Sequence, residues 1–304
     1  MLPTMNKYKL HEQLGNGGYS TVFRCTDNIG IRYACKVLSK TTNKRSRVQQ
    51  EVDILKQLQY STKIPRLVEA LEDDNSFYLV QEWCKGGQLK EYVAKYDLYG
   101  ENTVASIARG VLRGLCHIHQ CGIIHRDIKA GNILFADKGP DAEVKIVDFG
   151  AAINYDFNET YVSNMVGTPW FMPPEAMQSI YTPSSDVMFQ LLSGNMSFND
   201  KNNKYNPSLQ ALWHSILMDD PSFRSKSWIN ISDSAKDFVK MCLNKCHKER
   251  PSAVECLQHP WLTSTECEDR FSGVQLSCTP FKYESESCMN TRSIYCNNND
   301  VRSY

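Results

Sequence analysis

The stretch Ile123–Phe135, IIHRDIKAGNILF, followed by Lys145–Gly150, KIVDFG, constrains this chain more than any other. Runs rich in β-branched residues stand before His125, after Asn132 and before Asp148, and each reads as a short buried strand. Between them stand His125, Arg126, Asp127, Lys129 and Asn132, and Asp148 closes the last run. Buried strands do not carry that many polar groups at their ends without a use for them. Asp127, Asn132 and Asp148 together suit a metal–phosphate centre. Asp127 has the chemistry to orient an incoming hydroxyl and take its proton, while Asn132 and Asp148 offer hard oxygen ligands for magnesium.

A chain of 304 residues is long enough for two lobes around a cleft. Its formal net charge of +0 gives no field for wholesale nucleic-acid or anionic-membrane binding, so neither partner is expected. Twelve cysteines are dispersed rather than framed. Met1–Leu10 has no long apolar core, and no apolar run reaches a membrane-spanning length. The cysteines then read as reduced thiols, with a cytoplasmic or nuclear location expected. Cys242, Cys246, His247, Cys256 and His259 fit no common structural zinc spacing and read as packing residues.

HRD-x-K-x-x-N followed by DFG resembles the signature of eukaryotic protein kinases, and the order of the set is highly specific. The resemblance covers about residues 8–262 and implies an α+β, two-lobed fold. A small β-rich lobe is expected over about 8–83 and a larger helical lobe over about 84–262. Residues 263–304 form a polar tail expected to be poorly ordered. The motif style is similar to calcium/calmodulin-dependent kinases and to plant and protist calcium-dependent kinases. No D-x-[DN]-x-[DN]-G loop occurs in the sequence, so no direct calcium-binding module is expected in this chain.

The remaining motifs fall in the order such a kinase requires. Gly15-Asn16-Gly17-Gly18-Tyr19-Ser20-Thr21-Val22 follows a strand-like run, and its glycines let the backbone approach phosphates closely. Tyr33-Ala34-Cys35-Lys36 follows at the family distance. By resemblance Gly15, Gly17, Val22 and Ala34 line the ATP site, and Lys36 reaches the phosphates. Val48–Leu58 has helical apolar spacing, and its Glu51 matches the carboxylate that holds the lysine. Phe77–Trp83 reads as a strand ending at the interlobe hinge. Gln81 matches the gatekeeper, and Glu82 to Cys84 the segment whose backbone reads adenine. Thr103–Gln120 carries an apolar stripe and delivers the chain to the catalytic loop. Pro251–Leu262 matches the last helix of the family domain.

The resemblance implies a Ser/Thr kinase using ATP and Mg2+ on protein substrates. Asp127, Lys129 and Asn132 are the catalytic candidates, with Asn132 and Asp148 on the metal. Lys129 and Thr168 mark Ser/Thr rather than Tyr specificity. Arg126 is placed to receive a phosphate from the 151–166 segment, added by an upstream activating kinase at Thr160, Tyr161 or Ser163. Glu175 is expected to pair with Arg250.

Four departures from the family pattern stand out. Ser20 replaces a third glycine, Gln88 replaces the glutamate of a GGEL turn, and Pro173 replaces the alanine of APE. After Asp186-Val187, about six residues of a family helix are absent, or about 9 Å of rise at 1.5 Å per residue. Either the helix starts at Asp186 and runs short, or Asp186 is drawn out of place and the catalytic-loop amides lose their brace. With apolar burial lost as well, the chain as written is expected to be poorly stable and weakly active despite its complete catalytic set. That expectation is the basis of an alternative function, a catalytically impaired kinase-like interaction protein or a truncated gene product.

Overall fold

Short runs of strand-forming residues between Tyr8 and Glu82 build an antiparallel sheet. In the computed structural model, which describes residues 5–96, 100–156, 165–187, 208–223 and 228–263 together with the backbone of 161–162, this sheet has five strands. They are β1 (Tyr8–Asn16), β2 (Thr21–Asp27), β3 (Arg32–Ser39), β4 (Leu67–Glu72) and β5 (Ser76–Glu82), in the order β1-β2-β3-β5-β4. The single helix of this lobe, α1 (Arg45–Gln57), interrupts the strands between β3 and β4. Its buried face is Val48, Glu51, Val52, Ile54 and Leu55, a stripe at helical spacing with one carboxylate inside it.

The second lobe is built on helices. β6 (Gly87–Gln88) leads into α2 (Leu89–Tyr96), and α3 (Glu101–Gln120) forms its axis. Along α3, Ile107, Ala108, Val111, Leu112, Leu115 and Ile118 are buried as the stripe predicted, while Val104 is only partly covered. Gly110 and Gly114 on α3 let the strand Val144–Ile146 come close: a Cβ at Gly114 would stand 2.8 Å from the Ile146 side chain. The three expected short strands are β7 (Ile123–Ile124), β8 (Ile133–Phe135) and β9 (Val144–Ile146). β8 pairs with β6 and β9, and β7 pairs with β10 (Ile153–Asn154). A further two-stranded ladder joins β11 (Tyr161–Val162) to β12 (Ile180–Tyr181).

Among the described residues four later helices follow, three of them with explicit start signals. Ser208 caps α4 (Leu209–Met218) and Ser232 caps α5 (Asp233–Cys242), each accepting an amide at 3.1 Å. The expected single helix over Pro251–Leu262 is instead two short pieces, α6 (Ala253–Cys256) and α7 (Pro260–Thr263). Ser252 and Glu255 close a reciprocal capping box that starts α6. Pro260 cannot donate an amide hydrogen, so the chain must break and restart there. Cys242 and Cys256 face each other in the core between α5 and α6, their sulfurs 3.9 Å apart. Among the described residues, no helix is long and apolar enough to cross a membrane.

The stretch after Val187 that departs from the family spacing, the loop Asn199–Pro207 and the tail 263–304 beyond Thr263 lie outside the described residues. So do Thr160 and Ser163 and the side chain of Tyr161.

Candidate active site

The floor of the cleft is the loop between β7 and β8. Arg126 sits at φ 66, a left-handed conformation that a non-glycine residue adopts only when its surroundings hold it there. Asp186 does the holding. Its carboxylate accepts the amides of His125 and Arg126, each at 2.8 Å, and lies 3.0 Å from His119 Nε2. Burial pushes the Asp186 carboxyl upward. The hydrogen bond and charge of His119, with the His125 amide, outweigh this and keep it below the ordinary carboxylate range. The displaced Asp186 entertained from the sequence is therefore overturned: it occupies a 3-10 turn, Pro183–Val187, and both amides are satisfied. The turn is held from both sides of the shortened stretch, because Ser185 Oγ donates to Glu175 at 2.8 Å and Arg250, beyond that stretch, donates to Ser184 O at 3.1 Å.

His125 is fully buried and ties the loop to the strand beneath it. Its Nε2 donates to Val147 O at 3.0 Å, and its Nδ1 accepts the Asp127 amide at 3.3 Å. Asp127 thus projects from a loop secured at the two residues before it. Four donors converge on its carboxylate. Thr168 contributes its amide (3.0 Å) and its hydroxyl (2.7 Å) to Oδ1, while Lys129 Nζ (2.7 Å) and Asn132 Nδ2 (3.0 Å) donate to Oδ2. Lys129 Nζ also donates to Thr168 Oγ1 at 2.7 Å. Gly167, at φ +122, makes this approach feasible, since a Cβ there would stand 2.7 Å from Arg126 O.

The roof carries the phosphate-binding candidates. Residues paired across antiparallel strands share a face. Gly15 pairs with Val22, Val22 with Lys36, and Ala34 with Gln81, so the ladder puts all five on the cleft face. Gly17 closes the β1–β2 turn by donating its amide to Ser20 O at 2.8 Å. Lys36 Nζ donates to Glu51 Oε1 at 2.6 Å and to Asp148 Oδ1 at 2.7 Å. Lys36 and Glu51 are 8% and 4% exposed, so neither charge tolerates loss of its partner. Burial alone would lower the Lys36 pKa, but the Glu51 and Asp148 charges raise it. Asp148 begins a turn at φ 65 and keeps its side chain 46% exposed. Partial burial pushes its carboxyl up, and Lys36 draws it below the ordinary value.

At the hinge, the Glu82 amide donates to Arg66 O at 2.9 Å, so what Glu82 can offer a base is its carbonyl. Its side chain turns away to the buried Lys145, 2.9 Å from Oε1. Cys84 is buried beside it, and burial with the Glu82 charge pushes its thiol up to about 12. The metal pair fits its assignment. Asn132 commits its amide nitrogen to Asp127 O and Oδ2, at 2.8 and 3.0 Å, which turns its carbonyl oxygen away. That oxygen and Asp148 Oδ2 form a hard-oxygen set of the kind magnesium prefers.

The structure thus brings Lys36, Glu51 and Asp148 into one cluster and Asp127, Lys129 and Asn132 into another, with Gly15, Val22 and Ala34 on the sheet face of Lys36, Gly17 in the β1–β2 turn, and Glu82 and Cys84 at the end of β5; Glu51 acts through Lys36 rather than on its own. Glu175 and Arg250 form the expected pair, with two contacts at 2.6 and 2.9 Å. Sequence reasoning missed four contributors. Tyr181 is buried, with its hydroxyl donating to Val166 O and accepting the Val166 amide, both at 2.8 Å, and its ring beneath the Arg126 guanidinium. His119 supports Asp186, Lys145 holds Glu82, and Arg47 reaches Gly150. No spacing rule points to these residues, because each is defined by a contact between distant segments.

A two-lobed fold with a glycine turn above and this acid–lysine–amide cluster below defines a phosphoryl-transfer site. The chain belongs to the protein kinase domain family, which matches residues 8–262. It is similar to calcium-dependent protein kinase 7 of Oryza sativa subsp. japonica, at 31% identity over 84% of this chain and 48% of that protein. With calcium-dependent protein kinase 13 of Arabidopsis thaliana the identity is 34%, over 86% of this chain and 50% of the relative. The chain spans about half the length of the curated relatives it matches.

Proposed function

We propose that this chain is a protein Ser/Thr kinase that transfers the γ-phosphoryl group of ATP to serine or threonine hydroxyls of protein substrates. The observation that carries this reading is the convergence of Thr168, Lys129 and Asn132 on the Asp127 carboxylate, in a cleft whose roof holds Lys36, Glu51 and Asp148 together. Asp127 orients the acceptor hydroxyl and takes its proton. Lys129 lies beside it to offset charge on the transferred group. Lys36 binds the nucleotide phosphates, the glycine turn covers them, and the Glu82 carbonyl with the Cys84 backbone reads the base. Magnesium, held by Asn132 and Asp148, supplies positive charge to the phosphate oxygens. No observation on the described residues favours the impaired-kinase alternative, since every charged group of the site has its partner.

The test is Mg2+-dependent phosphorylation of serine and threonine peptides, with Asp127→Asn as control and calorimetry of ATP binding with and without magnesium. Product dominated by phosphotyrosine, or equal rates in the control, defeats the proposal.

Three finer readings belong to the same proposal. Residues 8–262 catalyse without calcium bound to them, supported by the lack of a calcium-loop motif in the sequence; activity unchanged by a calcium chelator is the expected result. Phosphate added by an upstream kinase within 151–166 raises activity through Arg126, which phosphatase treatment with site mapping would reveal. The chain works in the cytoplasm or nucleus, supported by the eight free thiols among the described residues. Imaging of a fluorescent fusion tests that location.

A further inference from the structure

The tip of the glycine turn is tied down by residues that do not belong to it. Tyr19 is 62% exposed, yet both its backbone and its ring are engaged. Asn43, buried between β3 and α1, donates its side-chain amide to Tyr19 O at 3.0 Å and to Ser39 O at 3.1 Å. Arg47, in the first turn of α1, holds its guanidinium over the Tyr19 ring, 5.2 Å from the centroid. The same guanidinium donates through Nε and Nη2 to Gly150 O, each at 3.2 Å. Gly150 packs against the ion cluster, since a Cβ there would stand 3.4 Å from Lys36 Nζ, Glu51 Oε2 and Asp148 Oδ1 alike. Arg47 also lies one helical turn before Glu51, on the same side of α1.

We propose that Arg47 and Asn43 are positioning residues that latch the glycine turn closed over the nucleotide phosphates and couple its closure to the Lys36–Glu51–Asp148 cluster. The guanidinium is a three-way junction. It lies over the aromatic ring, its Nε and Nη2 take the Gly150 carbonyl, and its helix carries Glu51. A glycine-rich turn is mobile by composition, so closing it over a polyphosphate costs conformational entropy. Contacts already made at Tyr19 reduce that cost before the nucleotide arrives. Helix α1, the turn and the Asp148 turn are then set by one residue and move together. A lysine at position 47 keeps the charge but lacks the planar fork, and cannot stack and donate twice at once.

The inference rests on the nucleotide-site reading above. The experiment measures Mg-ATP affinity by calorimetry and KM for ATP and for peptide, in the full chain and in Tyr19→Ala, Arg47→Ala, Arg47→Lys and the double variant Tyr19→Ala/Arg47→Ala. Tyr19 and Arg47 are exposed, so these variants are expected to keep the parent melting temperature. Loss of an exposed cation–π contact and a charged hydrogen bond predicts Mg-ATP binding weakened about five- to tenfold in each single variant. Peptide KM should stay within about twofold. The double variant should be no weaker than the worse single one, because both remove the same latch. Arg47→Lys should recover little of the loss. Unchanged ATP affinity in Arg47→Ala, or losses that add in the double variant, overturns the latch. A parent chain that binds no Mg-ATP overturns instead the kinase reading on which it rests.

Discussion

Thr168 and Asp127 meet twice, through the threonine amide at 3.0 Å and its hydroxyl at 2.7 Å, both on Asp127 Oδ1. Lys129 Nζ closes the triangle at 2.7 Å from each of them. The loop after Gly167 and the loop carrying the base are thereby one rigid unit. Removing the hydroxyl leaves Lys129 with one partner and Asp127 freer to turn. Thr168→Val should lower kcat about 10- to 100-fold, as expected for about 1.5–3 kcal/mol of charged hydrogen bonding. Thr168→Ser should restore most of it. Steady-state kinetics on one peptide decide the matter, and a Val variant as fast as the parent rejects this role.

Glu175 and Arg250 hold the 3-10 turn Pro174–Gln178 to the segment between α5 and α6, and their side chains are 4% and 0% exposed. A pair so buried is vulnerable to loss of one member, because the other charge is then stranded. Arg250→Met or Glu175→Gln should each destabilise the domain by about 3–5 kcal/mol. Arg250→Lys should rescue poorly, since a lysine cannot make both bonds in one plane. Urea unfolding of the three variants tests this, and a loss below about 1 kcal/mol would count against it.

Tyr181 gives a different signature. Its hydroxyl satisfies both backbone groups of Val166, just ahead of Gly167 and Thr168. Tyr181→Phe keeps the ring under Arg126 and takes this partner from the amide and carbonyl of the half-buried Val166, at about 0.5–1.5 kcal/mol each. The strain falls where a peptide would dock, so peptide KM should rise while KM for ATP holds. Parallel changes in the two constants would show a general structural effect instead.

Most of the site was legible in the sequence because its residues are contiguous or held at fixed spacing. Asp127, Lys129 and Asn132 lie within one loop, Asp148 closes the next strand, and Glu51 sits on a helix whose apolar period is plain. Strands β7, β8 and β9 were legible too, as short β-branched runs. What escaped were contacts between segments far apart in the chain. Tyr181 is an unremarked aromatic after Ser179 until β12 folds beneath Arg126. Arg47 is one of several basic residues before the apolar face of α1. The break between α6 and α7 is hidden for another reason: His259-Pro260-Trp261 matches a family ending, while the restart follows from the amide hydrogen that Pro260 lacks.

The folded-state carboxyl of Asp186 is held below its ordinary value, about 3.9 in an unfolded chain. A lowered carboxylate contributes stability above the unfolded pKa and loses it as pH falls through the folded one. The melting-temperature gap between the parent and Asp186→Asn should therefore be widest above about pH 4 and close below it. Calorimetric scans from neutral to acid pH test the sign. A gap that widens on acidification is incompatible with the carboxylate being the bracing form.

The Pro183–Val187 turn has a consequence for how this chain can tolerate change. Asp186 is anchored from upstream by Ser185 on Glu175 and from far downstream by Arg250 on Ser184. The catalytic loop thus takes its shape from a node held by Glu175 from upstream and by Arg250 from downstream, and a change of length after Val187 leaves Asp127 in place as long as Arg250 still reaches Ser184. Within that limit, length variation after Val187 becomes a matter of how well the large lobe is filled, not of whether Asp127 points at a substrate. Inserting a six-residue WSLGVI-like segment after Val187 should accordingly raise the melting temperature while kcat per folded molecule stays within about twofold.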